Sequence, residues 1–221
     1  MKLIKEDITL NDLSVLTEGK GSNKRMYITG PFLQAEKVNR NNRIYTEKVM
    51  DAAVEKYQAD YIDEKRALGE LNHPAEPVVN PERAAIMTES LSKTRAADAV
   101  YYEGKAKVLS TPMGQIVENL LSDGVKIGVS SRGLGSLNQT REGYNMVGND
   151  FILTTAADVV FDPSAQSSFV EGVFEQAEWI YESGIWQQVD LDFQREKLKR
   201  AKTNELSKVK LEVFESFLKT L

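Results

Sequence analysis

Cysteine is absent from the sequence, which excludes disulfide bonds, thiolate nucleophiles and thiolate metal sites. Histidine is almost absent as well, since His73 is the only one among 221 residues. A zinc centre usually draws on several imidazole or thiolate ligands, so we expect no metal site and no other cofactor. Any chemistry that needs an imidazole must therefore pass through His73.

The sequence also lacks an excess of positive charge and any long apolar run. Its net charge of −5 gives no general attraction to nucleic acid or to a membrane surface, so neither is an expected partner. Charged residues such as Lys2, Lys5 and Glu6 interrupt the start of the chain, where a secretory leader would need an apolar core. No later run approaches the ~18 apolar residues of a membrane-spanning helix. We therefore expect no membrane insertion and a protein that stays in the cytosol in which it is made.

The composition indicates one globular domain with an additional segment at each end. An apolar fraction of 41% with 28% charged residues is typical of a soluble protein of this size. Residues 1–25 end in a polar, glycine-containing stretch and are predicted to form a flexible N-terminal arm before the folded domain, residues 26–185. Residues 186–221 are predicted to form an amphipathic helical tail, whose basic first half is either a solvated face or a docking surface. The apolar residues at helical spacing are Leu206, Val209, Val213, Phe217 and Leu221.

Alternating and helical apolar patterns predict an α+β fold with a mainly antiparallel sheet flanked by helices. Thr46 and Thr111 are candidate N-caps of two helices, and Gly124 is the expected end of the second. A turn at residues 103–104 is expected to join two strands of a β-hairpin. Strands are predicted over residues 26–35, with a kink at 30–31, and over residues 85–87, 99–102, 105–109, 144–147 and 151–161.

Residues 128–136, Gly-Val-Ser-Ser-Arg-Gly-Leu-Gly-Ser, combine candidate nucleophiles with glycines. Apolar residues alternate with polar or small ones over residues 125–129, which predicts a strand that ends near the serines. Gly133 and a second glycine two residues later would then allow a sharp turn that aims backbone N–H groups back at Ser130. Such groups, those of residues 131–133, could stabilise a developing oxyanion.

Ser130 needs a base, because a serine hydroxyl is a weak nucleophile at neutral pH unless its proton is removed. His73, with an ordinary pKa of about 6.5, suits that task. The residue patterns leave open a bland alternative, a polar surface turn beside a histidine in a loop, and the spacing is not that of the nucleophile elbow G-x-S-x-G. Asp158 lies among apolar neighbours and either orients the imidazole or is a strand-end aspartate bonded to backbone or solvent. Glu70 is the other candidate to orient the ring.

Four short stretches, taken together, resemble the prohead core protein proteases of large tailed phages. Two of them are residues 69–74, Gly-Glu-Leu-Asn-His-Pro, and residues 128–136, which carry the histidine and the serines. The others are residues 34–45, and Asp158 followed by residues 163–165. The resemblance implies a serine endopeptidase related in fold to the herpesvirus assembly proteases, with a sheet that closes into a barrel.

The resemblance also implies roles for individual residues. Ser130 holds the first serine position of the family motif and is the expected nucleophile, with His73 as the base and Asp158 as the group that orients it. An arginine can bind an acidic substrate side chain, because its guanidinium matches a carboxylate in a bidentate fork. The residues expected to bind the oxyanion or the substrate are Ser131, Arg132, Gly133, Arg40 and Arg43.

For an enzyme of this family, the implied work is capsid maturation by digestion of scaffold and trimming of shell proteins. Phage scaffold and capsid proteins are then the partners, and the place of action is the prohead core in the host cytoplasm. A homo-oligomer is compatible with the sequence but not indicated by it. The alternative function is that of a non-catalytic capsid assembly or scaffold-binding protein that retains the fold.

The resemblance further implies cleavage after a glutamate that follows a hydrophobic residue two positions earlier. Leu16-Thr17-Glu18 and Ile180-Tyr181-Glu182 fit this pattern, so self-cleavage is expected after Glu18 and after Glu182. Leu68-Gly69-Glu70 fits as well, but its position beside His73 predicts protection by the fold. Cuts at the first two sites would remove the arm and the tail.

Overall fold

β-Strands are the main elements of the described residues, and most of them pair antiparallel. The structure is a computed structural model that describes residues 1–8, 13–18, 25–74, 76–161, 178–182 and 185–189. Of residues 7–8, 178–182 and 185–189 it describes the backbone alone. The sheets, together with the α-helices among these residues, confirm the predicted α+β fold.

The elements are numbered in chain order. The strands are β1 (Lys2–Ile8), β2 (Ser14–Glu18), β3 (Arg25–Ala35), β4 (Arg43–Ile44), β5 (Leu68–Glu70), β6 (Ala84–Arg95), β7 (Val100–Val108), β8 (Gly128–Gly135), β9 (Leu137–Gln139), β10 (Asn145–Val147), β11 (Ile152–Val160), β12 (Glu178–Glu182) and β13 (Ile185–Val189). The helices are α1 (Glu47–Tyr57), a π-helical continuation of it (Gln58–Ile62), a 3₁₀ turn (Pro81–Arg83) and α2 (Pro112–Ser122).

The strands form two five-stranded sheets and one three-stranded sheet. One large sheet has the order β11-β8-β1-β12-β13, and the other has the order β2-β3-β7-β6-β5. A bridge between Leu71 and Val159 links the end of β5 to β11, so the two large sheets meet where the chain enters the motif that carries the histidine. The predicted kink in β3 is confirmed as a register shift between Pro31 and Leu33.

Both predicted helix starts are confirmed by their capping side chains. The hydroxyl of Thr46 accepts a hydrogen bond from the N–H of Val49, and that of Thr111 accepts one from Gly114. Gly124 follows the end of α2 with φ 81°. α1 packs against β11, and α2 packs against β6 and β7, so the helices flank the sheets as expected. In the part of the chain that the structure describes, no helix has the length and apolar character needed to cross a membrane.

The prediction of a flexible N-terminal arm is wrong for its two described segments, β1 and β2. β1 lies between β8 and β12 and pairs with β8 over its whole length. β2 is the edge strand of the other large sheet and pairs with β3. Leu3 and Ile4 are only 4% and 1% exposed, so β1 contributes apolar side chains to the core.

The predicted turn at residues 103–104 is also wrong, because β7 runs through both residues. The connection between β6 and β7 lies instead at residues 96–99. A Cβ on Gly104 would lie 2.0 Å from Cδ2 of Phe32, whose buried ring covers the strand at this point. The glycine therefore permits the close approach of a ring and does not mark a turn.

The stretch that carries the serines is a complete strand, not the end of one. β8 begins at Gly128 and continues through Ser130 to Gly135, between β11 and β1, so the predicted sharp turn at the glycines is wrong. A Cβ on Gly133 would lie 2.3 Å from Cε2 of Phe151. Close packing explains this glycine, as it does the one in β7.

The C-terminal region enters the structure as a hairpin. β12 pairs with β13 from Glu178, opposite Val189, to Glu182, opposite Ile185. The first residues of the predicted helical tail are therefore extended. Residues 163–165 and the apolar stripe of the tail lie outside the described residues.

Candidate active site

Ser130, His73 and Asp158 come together from three separate parts of the chain. Asp158 on β11 lies opposite Ser130 on β8, and the loop after β5 carries His73. The Nε2 atom of His73 lies 3.2 Å from Oγ of Ser130, and its Nδ1 atom lies 3.0 Å from Oδ2 of Asp158. The three side chains thus form a hydrogen-bonded series in the order of a nucleophile, a base and an orienting carboxylate.

The loop that carries His73 is attached to β11 at two points. The N–H of Glu70 donates to Oδ1 of Asp158 at 2.8 Å, and the N–H of Asn72 donates to the carbonyl of Val159 at 2.9 Å. Asn72 adopts φ 65°, a left-handed conformation that asparagine tolerates better than most residues. These backbone contacts hold the imidazole next to β11.

Arg132 lies two residues beyond Ser130, on the same face of β8. Its Nε lies 2.6 Å from Oδ2 of Asp158, and its Nη2 donates to Oδ1 at 3.1 Å, which makes a bidentate pair. The arginine is 0% exposed. Its guanidinium therefore pairs with Asp158 and donates to the carbonyl of Glu76, and its contact with the oxyanion or the substrate stays a prediction.

Glu70, the alternative partner of the imidazole, contacts other groups. Its Oε1 accepts a hydrogen bond from the N–H of Asn80 at 2.6 Å and lies 3.5 Å from Nη2 of Arg132. Its Oε2 lies 3.6 Å from Nε of Arg83. Of the two candidate carboxylates, the structure places Asp158 against the imidazole.

Burial and neighbouring charges act in opposite directions on the two ionisable groups. Burial disfavours the charged form of Asp158, but the hydrogen bond to His73 and the charge of Arg132 outweigh it and hold the pKa of this carboxyl below its usual range. Burial lowers the pKa of the His73 imidazole below its ordinary value, 6.5, although Asp158 acts against this shift. At neutral pH, Asp158 is therefore ionised and His73 is neutral, which is the state that a general base requires.

The other residues predicted to bind the oxyanion or the substrate lie at different positions relative to Ser130, His73 and Asp158. Ser131 is buried, and as the next residue of the strand it lies on the opposite face of β8 from Ser130. The N–H groups of residues 131–133 lie between two flanking strands, so their oxyanion role stays a prediction. Arg40 is exposed in the loop between β3 and β4.

Arg43 belongs to a second polar cluster, which surrounds the side chain of Glu6 on β1. Its Nη1 lies 3.4 Å from Oε1 of Glu6, and the hydroxyl of Tyr45 donates to the same oxygen at 2.9 Å. Asn39 and Asn41 donate to Oε2 from their Nδ2 atoms, at 2.6 and 2.8 Å. Burial raises the pKa of Glu6, and Arg43, Asn41 and Tyr45 act against that shift.

The two clusters meet at Ser130, whose Oγ donates to the backbone carbonyl of Glu6 at 3.1 Å. Sequence reasoning missed Glu6, because residues 1–25 were interpreted as an arm outside the domain. A signal was present, since Ile4-Lys5-Glu6 has the same hydrophobic-x-glutamate pattern as the expected cleavage sequences. Among the described residues, no three His, Asp or Glu side chains are grouped so as to hold a metal ion.

A serine hydroxyl, an imidazole and a buried carboxylate in one hydrogen-bonded series are typical of serine proteases. The sequence model of the prohead core protein serine protease family matches residues 8–178. The chain belongs to this family. As a prohead core protein serine protease it is an enzyme, which disfavours the alternative of a non-catalytic assembly protein.

Two matches from phage T4, one to a protein sequence and one to a solved structure, show how similar this prohead protease is to its relatives. The prohead core protein protease of Enterobacteria phage T4 is 42% identical over 148 residues, which cover 66% of this chain and 68% of that protein. The solved structure of the bacteriophage T4 capsid assembly protease, gp21, matches with a TM-score of 0.64 and 35% identity. That match covers 73% of this chain and 98% of the T4 chain, and it confirms the expected fold relationship.

Proposed function

We propose that this prohead protease cleaves scaffold and shell proteins after glutamate while a phage prohead matures. The contacts that join Ser130, His73 and Asp158 support a serine endopeptidase mechanism. The names of the relatives, prohead core protein protease and capsid assembly protease, support capsid proteins as the substrates. The proposed place of action is the prohead core in the host cytoplasm.

In the proposed mechanism, Oγ of Ser130 attacks the scissile carbonyl while Nε2 of His73 takes its proton. His73 then returns the proton to the leaving amine, and water hydrolyses the acyl ester on Ser130. Asp158 remains ionised, holds Nδ1 of the ring and stabilises the imidazolium that forms. Arg132 is buried against this carboxylate and keeps Asp158 ionised by its charge, so its proposed role is to support Asp158 and not to hold the substrate.

Recognition of glutamate is assigned to the loop between β3 and β4. Arg43 lies in a cluster that already surrounds a carboxylate close to Ser130, which supports its role in binding an acidic substrate side chain. Arg40 lies on the same loop and is exposed. It is proposed to attract acidic segments rather than to hold the bound side chain.

The same preference leads us to propose self-cleavage after Glu18 and after Glu182. Glu18 ends an exposed edge strand that pairs with β3, and its carboxylate lies 2.6 Å from Nζ of Lys105 on β7. Both contacts must break before the bond after Glu18 can be cut. Glu182 ends β12, next to the tip of the hairpin. Glu70 is 0% exposed, which supports the expectation that the bond after it is protected.

The test uses the purified chain and the scaffold and shell proteins of the same phage. Mass spectrometry of the products should show new C-termini at glutamate that follows a hydrophobic residue two positions earlier. Fragments of the protease itself should include ones that end at Glu18 and at Glu182. Ser130→Ala is the matched control, and identical fragments from it, or ends at other residue types, would contradict the proposal.

A further inference from the structure

β1 lies along the strand of the nucleophile, and its main chain passes the hydroxyl of Ser130. The register places Asp7 opposite Ser130, and the carbonyl of Glu6 accepts a hydrogen bond from Oγ of Ser130 at 3.1 Å. The same Oγ lies 3.2 Å from Nε2 of His73. The carbonyl carbon of Glu6 is one bond, about 1.23 Å, from that oxygen, so a small shift would bring it within reach of the nucleophile.

The side chain of Glu6 is surrounded by hydrogen-bond donors that contact both of its carboxylate oxygens. All four donors described above come from residues 39–45, and the side chain of Glu6 is only 13% exposed. Asn41 and Arg43 also donate to the backbone carbonyl of Lys5, at 3.2 and 3.1 Å. The loop thus binds both the carboxylate and the main chain that precedes it.

We propose that these four donors form the subsite that selects glutamate, and that β1 lies in it as an intramolecular substrate. The bond to be cut is the one between Glu6 and Asp7. Until it is cut, β1 blocks access of other substrates to Ser130. The inference rests on the proposed function as an endopeptidase that cleaves after glutamate, and it names the subsite and the first substrate of that activity.

Two features separate this arrangement from a purely structural ion pair. A structural pair would explain the donors around the carboxylate, but not the contact of the same residue's carbonyl with Ser130. Ile4, two residues before Glu6, is 1% exposed, so the hydrophobic residue of the cleavage pattern is also held by the protein. Main chain, glutamate side chain and preceding apolar side chain are all bound as the proposed specificity requires.

The proposed cleavage of the Glu6–Asp7 bond needs no reactant other than water. Nε2 of His73 takes the proton of Ser130 as its Oγ bonds to the carbonyl carbon of Glu6. The bond from that carbon to the nitrogen of Asp7 breaks, and the proton passes from His73 to the new amine. Water then hydrolyses the ester, which releases a carboxylate on Glu6 and restores the serine.

The first experiment incubates the full-length chain and follows its intact mass and its N-terminal sequence. We expect loss of residues 1–6 and a new N-terminus at Asp7. Because strand and site belong to one chain, the rate should be first order and unchanged over a hundredfold dilution. A rate proportional to concentration, or no new end at Asp7 in a chain that cuts a glutamate peptide, would overturn the inference.

Matched variants identify the bond and the nucleophile. Ser130→Ala should remain intact, and Glu6→Gln should lose the new end at Asp7, since the amide supplies no negative charge for Arg43. Glu18→Gln changes a glutamate in the same sequence pattern but outside the pocket, so it should keep the end at Asp7. Equal cleavage of Glu6→Gln and of the wild type at this bond would contradict the subsite.

The second experiment tests the pocket with an added peptide that has the sequence of residues 2–8, compared with the same peptide carrying Gln in place of Glu. Tyr45→Phe removes one donor and keeps the ring that packs edge-on against Phe151, 5.1 Å between centroids. We expect kcat/KM for the Glu peptide to fall about tenfold or more, and kcat/KM for the Gln peptide to change little.

The controls separate the subsite from the activity as a whole. An unchanged circular dichroism spectrum and Tm of Tyr45→Phe establish that its fold is retained. Unchanged selectivity for Glu over Gln in this variant would overturn the subsite while leaving a glutamate-directed protease in place. No cleavage of either peptide by the wild type, before or after incubation, would instead overturn the proposed function and the inference together.

Discussion

Asp158 is the residue on which most of the site depends. Its two carboxylate oxygens accept from the N–H of Glu70, from the guanidinium of Arg132 and from the ring of His73. A carboxylate at 0% exposure would otherwise carry a large desolvation cost. We therefore expect removal of His73 to lower the activity and removal of Arg132 to lower the stability of the fold.

Removal of either half of the Ser130 and His73 pair should abolish proteolysis. We expect Ser130→Ala and His73→Ala each to lower kcat/KM by about 10⁴-fold or more, because the two act as a unit. The double variant should be little worse than either single one, whereas Ser131→Ala should retain activity, since that side chain lies on the other face of β8. The measurement is peptide hydrolysis by variants whose thermal unfolding matches the wild type. Full activity of His73→Ala would contradict the mechanism.

The pH dependence of the enzyme should reflect the lowered pKa of His73. A general base acts in its neutral form, so activity is present above the pKa of the imidazole and is lost as the pH falls through it. Burial, together with the charges of Lys5 and Arg132, places that pKa below 6.5 despite Asp158. The first-order rate of cleavage after Glu6, which is measured with β1 and Lys5 in place, should therefore have its midpoint below 6.5. A flat profile from pH 5 to 9 with an intact fold, or a midpoint above 6.5, would be inconsistent with this account.

Arg132 should matter for stability, because it is an ion-pair partner of two buried carboxylates. Arg132→Met leaves Asp158 and Glu70 without this partner and should lower the free energy of unfolding by about 3–5 kcal/mol. Arg132→Lys keeps a charge but cannot form the bidentate pair, so an intermediate loss is expected. Urea denaturation at neutral pH measures both. Wild-type stability of Arg132→Met would show that the pair contributes little.

At the scale of single residues, part of the site could be predicted from the sequence. His73 could be found because it is the only histidine, and Ser130 because of the motif around it. The choice of Asp158 over Glu70 could not be made, because it depends on the pairing of β11 with β8 across more than twenty residues of chain. Arg132 was expected to bind the oxyanion or the substrate, because the sequence does not show that Asp158 is its buried partner.

At the scale of elements, two strand glycines show how tertiary packing overrides a turn signal. A Cβ on Gly104 would lie 2.0 Å from the ring of Phe32, and we expect Gly104→Ala to lower the free energy of unfolding by about 1–3 kcal/mol through overpacking. Lys107→Ala, on the other face of β7, is the control and should change it by about 0.5 kcal/mol or less. Equal effects of the two changes, measured by thermal or urea unfolding, would contradict the packing role.

The helix starts, which have local capping signals, were predicted correctly, whereas strands that depend on distant contacts were not. Thr46 and Thr111 cap their helices through side chains only three residues from their partners, which a sequence reveals directly. β1 depends on pairing with β8, more than a hundred residues away, and its polar residues look like those of a loose arm until that partner is known. The same difference explains why Glu6 was missed.

At the scale of the whole molecule, the site is assembled from widely separated parts of the chain. β1 supplies Glu6, the loop after β5 supplies His73, and β8 and β11 supply Ser130 and Asp158. Such a site exists only in the folded protein, and its central strand is also the segment proposed as the first substrate. The pairing of β1 with β8 thus contributes to the fold and, in the proposal, also restrains the enzyme.

The central claim is that Ser130 is a nucleophile activated by His73, and covalent labelling tests it most directly. Because Ser130 is 0% exposed beside β1, a fluorophosphonate probe should be applied to the wild type and to Glu6→Ala, with the adduct located by mass spectrometry. The account predicts an adduct on Ser130 in both, formed faster in Glu6→Ala and absent when His73→Ala is added. An adduct on Ser131 or another serine, or undiminished labelling of Ser130 without His73, would contradict it.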